Sequence, residues 1–214
     1  MLLVPLASLV FGVMALTPEP GAAELLYSQP IARTSILAAR VTGLWLALVA
    51  AEAIGFGASG LVLFLRAGPG GLAGFLGVIA AAFALTAVFL SVAAAVAAGS
   101  TSRGRARSLA IALVVWFGAV VLYDAAALAV ASLLPGGMAS RLLVVAAIVN
   151  PVDAVRTGTL MAIEGTAAFG SASLAFLRFT SGAAGAVVWL LGSLALWVAL
   201  PLAIGSARLS RADV

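Results

Sequence analysis

At 214 residues the length would suit one soluble domain, but 64% of the residues are hydrophobic and only 8% are charged, with a mean hydropathy of +1.27. A soluble surface needs about 25% charged residues, so the composition excludes that class and predicts an integral membrane protein. The chain contains no Cys, His or Lys and all 11 cations are Arg, which excludes a Walker A loop, a Schiff base, an imidazole base, a thiolate nucleophile and the soft ligands of a zinc or copper site.

The first element is Met1 to Leu16, wholly apolar and uncharged but short for a crossing, which takes about 20 apolar residues. It lacks the basic start and small-residue cleavage site of a signal peptide, so it reads as a span clipped at its beginning. Thr17-Pro18-Glu19 then has the form of a helix start: a capping hydroxyl, a first-turn proline and an acid at the positive dipole end. A short amphipathic stretch, Ala22 to Gln29, stops before Pro30. Thr34 or Ser35 can cap the second span, Val41 to Leu65, interrupted only by Glu52. The third span is Leu72 to Ala98, without a charge. A turn carrying Arg103, Arg105 and Arg107 leads to the fourth, Leu109 to Leu134, interrupted by Asp124.

Leu142 to Val149 is apolar but too short to cross. Asn150-Pro151-Val152-Asp153 reads as a cap, a first-turn proline and an acid at the third position, opening a helix toward Glu164 that Gly165 to Gly170 breaks. This loop is expected to be ordered, as short helices lying at the membrane surface. Ala183 to Ile204 is the last span.

Arginine bias sets the orientation. If the spans alternate, Arg33, Arg40, Arg103, Arg105, Arg107, Arg208 and Arg211 share one side, against Arg66, Arg141, Arg156 and Arg178 on the other. That places the C-terminus inside and Met1 outside, with five spans in one transmembrane domain. Basic residues that flank spans in this way exclude a nucleic-acid binder.

Glu52 and Asp124 lie within spans, where a carboxyl is costly and therefore a candidate for function. The alternative is a packing or interfacial role, hydrogen-bonded to a neighbouring helix. Gly55-x-Gly57-xx-Gly60 and Gly70-Gly71-xx-Gly74-xx-Gly77 offer small faces for helix contact, but 23 glycines make such spacings expected by chance. The arginine cluster reads first as an inside anchor. A contact with an acidic cytoplasmic partner is the sharper alternative. For Glu19 to Arg40, a helix lying on the membrane surface is the plain reading.

Glu19-Pro-Gly-Ala-Ala-Glu24-Leu-Leu-Tyr-Ser-Gln-Pro30-Ile-Ala-Arg33, continuing to Arg40, resembles the segment of ABC-2 type permeases that combines acids, a Gly, a leucine run, a Pro and a base. Asn150-Pro151-Val152-Asp153-Ala154-Val155-Arg156, followed by Glu164-Gly165, resembles the stretch before the last span in the branch serving nitrous oxide reductase maturation. The resemblance covers essentially the whole chain in span order. It departs in two places: the family has six spans against the five expected here, the first being the one without a counterpart, and Ala22-Ala23-Glu24 interrupts the leucine run.

The resemblance implies an all-α integral membrane bundle with a short cytoplasmic coupling helix and an ordered extracytoplasmic loop. It implies a homodimer of permeases in the plasma membrane that does no chemistry, with ATP and Mg held on a separate ABC ATPase subunit. Glu19, Glu24, Leu25, Leu26, Tyr27 and Arg33 would dock on that ATPase, with Arg103 and Arg105 as a second contact. Asn150, Pro151, Asp153, Arg156 and Glu164 would meet an extracytoplasmic partner handling copper or sulfur species. No metal or cofactor is expected on this chain. The competing hypotheses are an ATP-independent carrier using Glu52 and Asp124, and a non-transporting membrane scaffold.

Overall fold

A computed structural model describes residues 2–17, 31–68, 72–99, 104–164 and 171–211. Every described element is helical: α1 (Leu3–Leu16), α2 (Arg33–Ala67), α3 (Leu72–Ala98), α4 (Arg105–Phe117), a π-helical turn (Gly118–Leu122), α5 (Tyr123–Ser132), α6 (Gly136–Val149), α7 (Pro151–Glu164), α8 (Ser171–Phe179) and α9 (Ala183–Arg211).

Four helices are long and apolar enough to cross a membrane: α2, α3, the continuous rod from α4 through α5, and α9. The reason is backbone satisfaction. Lipid offers no hydrogen bonds, so each N–H and C=O must be matched within its own helix. The helices outrun the apolar stretches that announce them. The second span, expected from Val41, begins two turns earlier at Arg33, and the last runs past Ile204 to Arg211. Hydrophobicity marks only the hydrocarbon crossing, whereas the backbone ladder continues until something stops it. Pro201 lies inside α9 and deletes one rung of that ladder.

The connection before the last span departs further from the expectation. The apolar stretch at Leu142 to Val149 is the second half of α6, which starts at Gly136. Pro135, extended at ψ 145°, ends the preceding turn, and its carbonyl accepts the N–H groups of Met138 and Ala139. The two helices α6 and α7 reach a membrane-crossing apolar length only together, and they meet at a bend of 102°. They form a helical hairpin rather than a straight crossing.

The chain divides into two compact units. One holds Leu2–Ala50, Thr86–Phe117 and Leu196–Val214. Its core is the contact of α1 with the second half of α3, where Leu9, Val13, Val88, Leu90, Ala93 and Ala94 are fully buried. Gly12 makes that approach possible: a Cβ there would stand 2.6 Å from the Ala93 Cβ. The Ser8 hydroxyl reaches that of Thr86 at 3.4 Å, a polar contact of the kind that pins helices in lipid. Leu16, Leu37, Val41 and Ala97 extend the core, joined by Leu202 and Leu209.

The other unit holds Ala51–Leu85 and Gly118–Ala195. Its core gathers Val144, Ile148, Ala154, Phe176, Ala186 and Leu190. Gly60 lies against the ring of Phe75, which packs edge-on to Phe56 with centroids 6.4 Å apart. Two glycines of the expected spacings are therefore used for close packing, Gly60 and Gly74, the latter against Ile163 with its Cγ1 3.1 Å from where a Cβ would stand, while Gly55, Gly57 and Gly77 have nothing within 4 Å.

Candidate functional site

The polar centre of the second unit is built around Asn150. Its own N–H donates to the Ala146 carbonyl, closing α6. Its side-chain oxygen then accepts the N–H of Val152 at 3.0 Å, and its carbonyl accepts that of Ala154 at 2.8 Å, so it opens α7. Pro151 takes the first helical position, where a missing N–H costs nothing. The remaining donor of Asn150, Nδ2–H, is given to the Ala119 carbonyl at 2.6 Å. Ala119 belongs to the π-helical turn, whose widened ladder exposes backbone groups to outside partners. One buried residue thus ends a helix through its backbone N–H, and its side chain begins the next and holds a third element.

That anchor brings charges together. Tyr123 and Asp124 follow the π turn directly. The Tyr123 hydroxyl donates to the Ala146 carbonyl at 3.1 Å. Arg156 pairs with Asp124 at 3.1 Å and also with Asp153, one turn back on its own helix. Asp153 is the most enclosed, its side chain 8% exposed against 32% for Asp124 and 54% for Arg156. Two carboxyls face one guanidinium, so the cluster is neutral only with a proton added. Asp153, outside the four crossing helices, takes it: burial first, then the neighbouring Asp124 carboxyl, pushes its pKa up to about 7 against the opposing pull of Arg156. Among the described residues no three His, Cys, Asp or Glu side chains come together. The carboxyl pair is instead occupied by a guanidinium.

The first unit has a different polar feature, in which arginines close helix ends. The last four carbonyls of a helix have no partner within it. Arg40 donates to the carbonyls of Ala15 and Leu16, the latter at 3.4 Å, at the end of α1. Arg208 donates to Ala95 in the last turn of α3 at 2.9 Å, and Arg33 to Leu209 in the last turn of α9 at 3.3 Å. Each guanidinium also meets the negative end of a helix dipole. Arg40, Arg33 and Arg208 therefore tie α2 to α1, α2 to α9, and α9 to α3.

The residues singled out in the sequence fall into three groups. Glu19, Glu24, Leu25, Leu26, Tyr27 and Arg103 lie outside the described residues, while Arg33 and Arg105 open α2 and α4. Asn150, Pro151, Asp153 and Arg156 are brought together, and Asp124, an acid within a span for which a bond to a neighbouring helix was one expectation, joins them. Glu164 ends α7, and Glu52 sits partly buried within α2. Sequence reasoning missed Tyr123 and the backbone role of Arg40 and Arg208. The signal was present in both arginines, which lie near helix ends, but charge counting treats them only as anchors.

A family model for ABC-2 family transporter proteins matches residues 1–214. The chain is also 31% identical over 218 aligned residues to the probable ABC transporter permease protein NosY of Pseudomonas aeruginosa, an alignment covering 99% of this chain and 77% of that protein.

Proposed function

The chain belongs to the ABC-2 family of transporter permeases, and from that premise we propose that it couples ATP hydrolysis on a partner subunit to export or signalling across the cell membrane. It is a multi-pass membrane protein and a transporter subunit, and the family implies an ABC ATPase as its partner. The finer reading is that residues 19–33 form the coupling contact through Glu19, Glu24, Leu25, Leu26, Tyr27 and Arg33, with Arg103 and Arg105 beside them. Two such permeases act as a homodimer with two ATPases. The α6–α7 hairpin, through Asn150, Pro151, Asp153, Arg156 and Glu164, faces an extracytoplasmic partner concerned with copper or sulfur delivery for nitrous oxide reductase maturation.

One observation carries this reading: the Arg40 clamp between α2 and the end of α1. These are the two helices that flank the coupling segment. Locked at their base, they transmit a push on residues 18–32 as one body instead of letting it dissipate in a hinge.

Co-expression with the ATPase subunit provides the test. L25D and E24R should abolish co-purification, while R40A should retain the ATPase but uncouple its hydrolysis from transport. An ATPase that stays bound and coupled in all three variants overturns the proposal. An ion-coupled carrier would instead lose pH-dependent transport in E52Q, whereas an ATP-driven permease should keep its activity there.

A further inference from the structure

The first unit contains a groove of about 810 Å³, bounded by the second half of α3, by α4 and by the second half of α9. That volume lies within the roughly 300–1,000 Å³ of small-molecule sites. Its walls have a direction. On α4, Arg107, Ile111 and Val115 follow at intervals of four, so they stack along one face over about 12 Å. On α9, Leu200, Ile204 and Arg208 do the same in the opposite chain sense. Gly99 and Gly104 line the end where both arginines stand, and the Arg208 guanidinium lies across Gly99, where a Cβ would meet Nη1 at 2.9 Å. The groove is therefore cationic at one end and apolar along the rest.

The two cations that line the groove are Arg107 and Arg208. Arg208 has one donor on the Ala95 carbonyl, and a guanidinium has five. Arg107 is exposed and makes no hydrogen bond or ion pair with the described residues. An anion attached to an apolar tail matches both the arginine end and the apolar walls.

We propose that this groove binds an anionic phospholipid, with its phosphate between Arg107 and Arg208 and an acyl chain along Ile111, Leu200 and Ile204. Basic pockets between membrane helices recognise such headgroups, and a guanidinium fork suits phosphate oxygens. A free inorganic anion would use the arginines but leave the apolar walls wet. A lipid satisfies both. The site adjoins Arg105 of the proposed ATPase contact in sequence and shares no residue with the α6–α7 hairpin.

Native mass spectrometry of the detergent-solubilised protein tests this, with phosphatidylglycerol and phosphatidylethanolamine added in equal amounts. Wild type should retain phosphatidylglycerol preferentially. R107A should lower that retention about five-fold, as expected for one arginine at a headgroup. V92W should lower it as well, because it fills the apolar wall and leaves every charge in place. R141A removes the same charge from the other unit and should change nothing. Added inorganic phosphate at millimolar concentration should fail to displace the lipid. Equal retention of both lipids, insensitivity to R107A or V92W, or displacement by phosphate would each overturn the proposal. So would a groove filled by a second copy of the chain, visible as a dimer that V92W dissociates without any loss of lipid.

Discussion

The two units use the same residue type in opposite ways. In the unit of Leu2–Ala50, Thr86–Phe117 and Leu196–Val214, arginines act on the backbone: Arg33, Arg40 and Arg208 each satisfy carbonyls at the end of a different helix. In the unit of Ala51–Leu85 and Gly118–Ala195, Arg156 acts on side chains, pairing with Asp124 and Asp153. A helix end offers diffuse partial charge that any nearby guanidinium meets, so the first arrangement tolerates small shifts. A paired carboxyl demands position, and the second unit accordingly devotes a buried Asn, a π-helical turn and a first-turn proline to fixing it.

The sharpest way to break this contrast is Asn150→Ala. It removes a helix cap and leaves the half-buried Ala119 carbonyl without that donor, for an expected loss of about 2–3 kcal/mol, read as a fall in the thermal midpoint of the solubilised protein. Asn150→Ser should restore the cap alone and recover only part of the loss. Gly12→Val comes next. It drives a side chain into Ala93 and Leu90 and should cost about 1–3 kcal/mol by overpacking.

Arg40→Ala should be milder, about 0.5–1.5 kcal/mol, and Arg40→Lys should rescue part of it, since one ammonium cannot fork across two carbonyls. If Arg40→Ala proves as damaging as Asn150→Ala, the distinction between tolerant and demanding arginines fails. A separate test uses pH. Asp153 binds a proton more tightly in the folded protein than its ordinary 3.8 would allow, holding it up to about 7. Its contribution to stability is therefore full below about pH 4 and is lost as pH rises through 7. The melting midpoint of wild type should fall across that window, and Asp153→Asn should flatten the curve.

The membrane class and the positions of the long helices were legible in composition, because a crossing helix must be apolar over a fixed length. The cap at Asn150 was legible too, since Asn-Pro followed by an acid two residues later is a local signature. The joining of Asp124 to Arg156 was not. It depends on a π turn, which inserts one residue into the helical ladder without a composition of its own: Gly118-Ala-Val-Val-Leu122 reads as ordinary helix. The arginine closures were hidden for a related reason. Their partners are backbone carbonyls, which have no letter in the sequence, so Arg40 and Arg208 registered as charge rather than as contacts.

That inserted residue is accommodated by the widened turn itself. Deleting one position within Gly118–Leu122 would restore a regular ladder and take away the backbone opening in which the Ala119 carbonyl accepts the Asn150 side chain. Residues in the middle of an apolar helix are usually interchangeable in number as well as in kind. Here the count itself is information: a single-codon deletion that leaves hydropathy unchanged should dismantle the charged cluster more completely than mutating any one of its members.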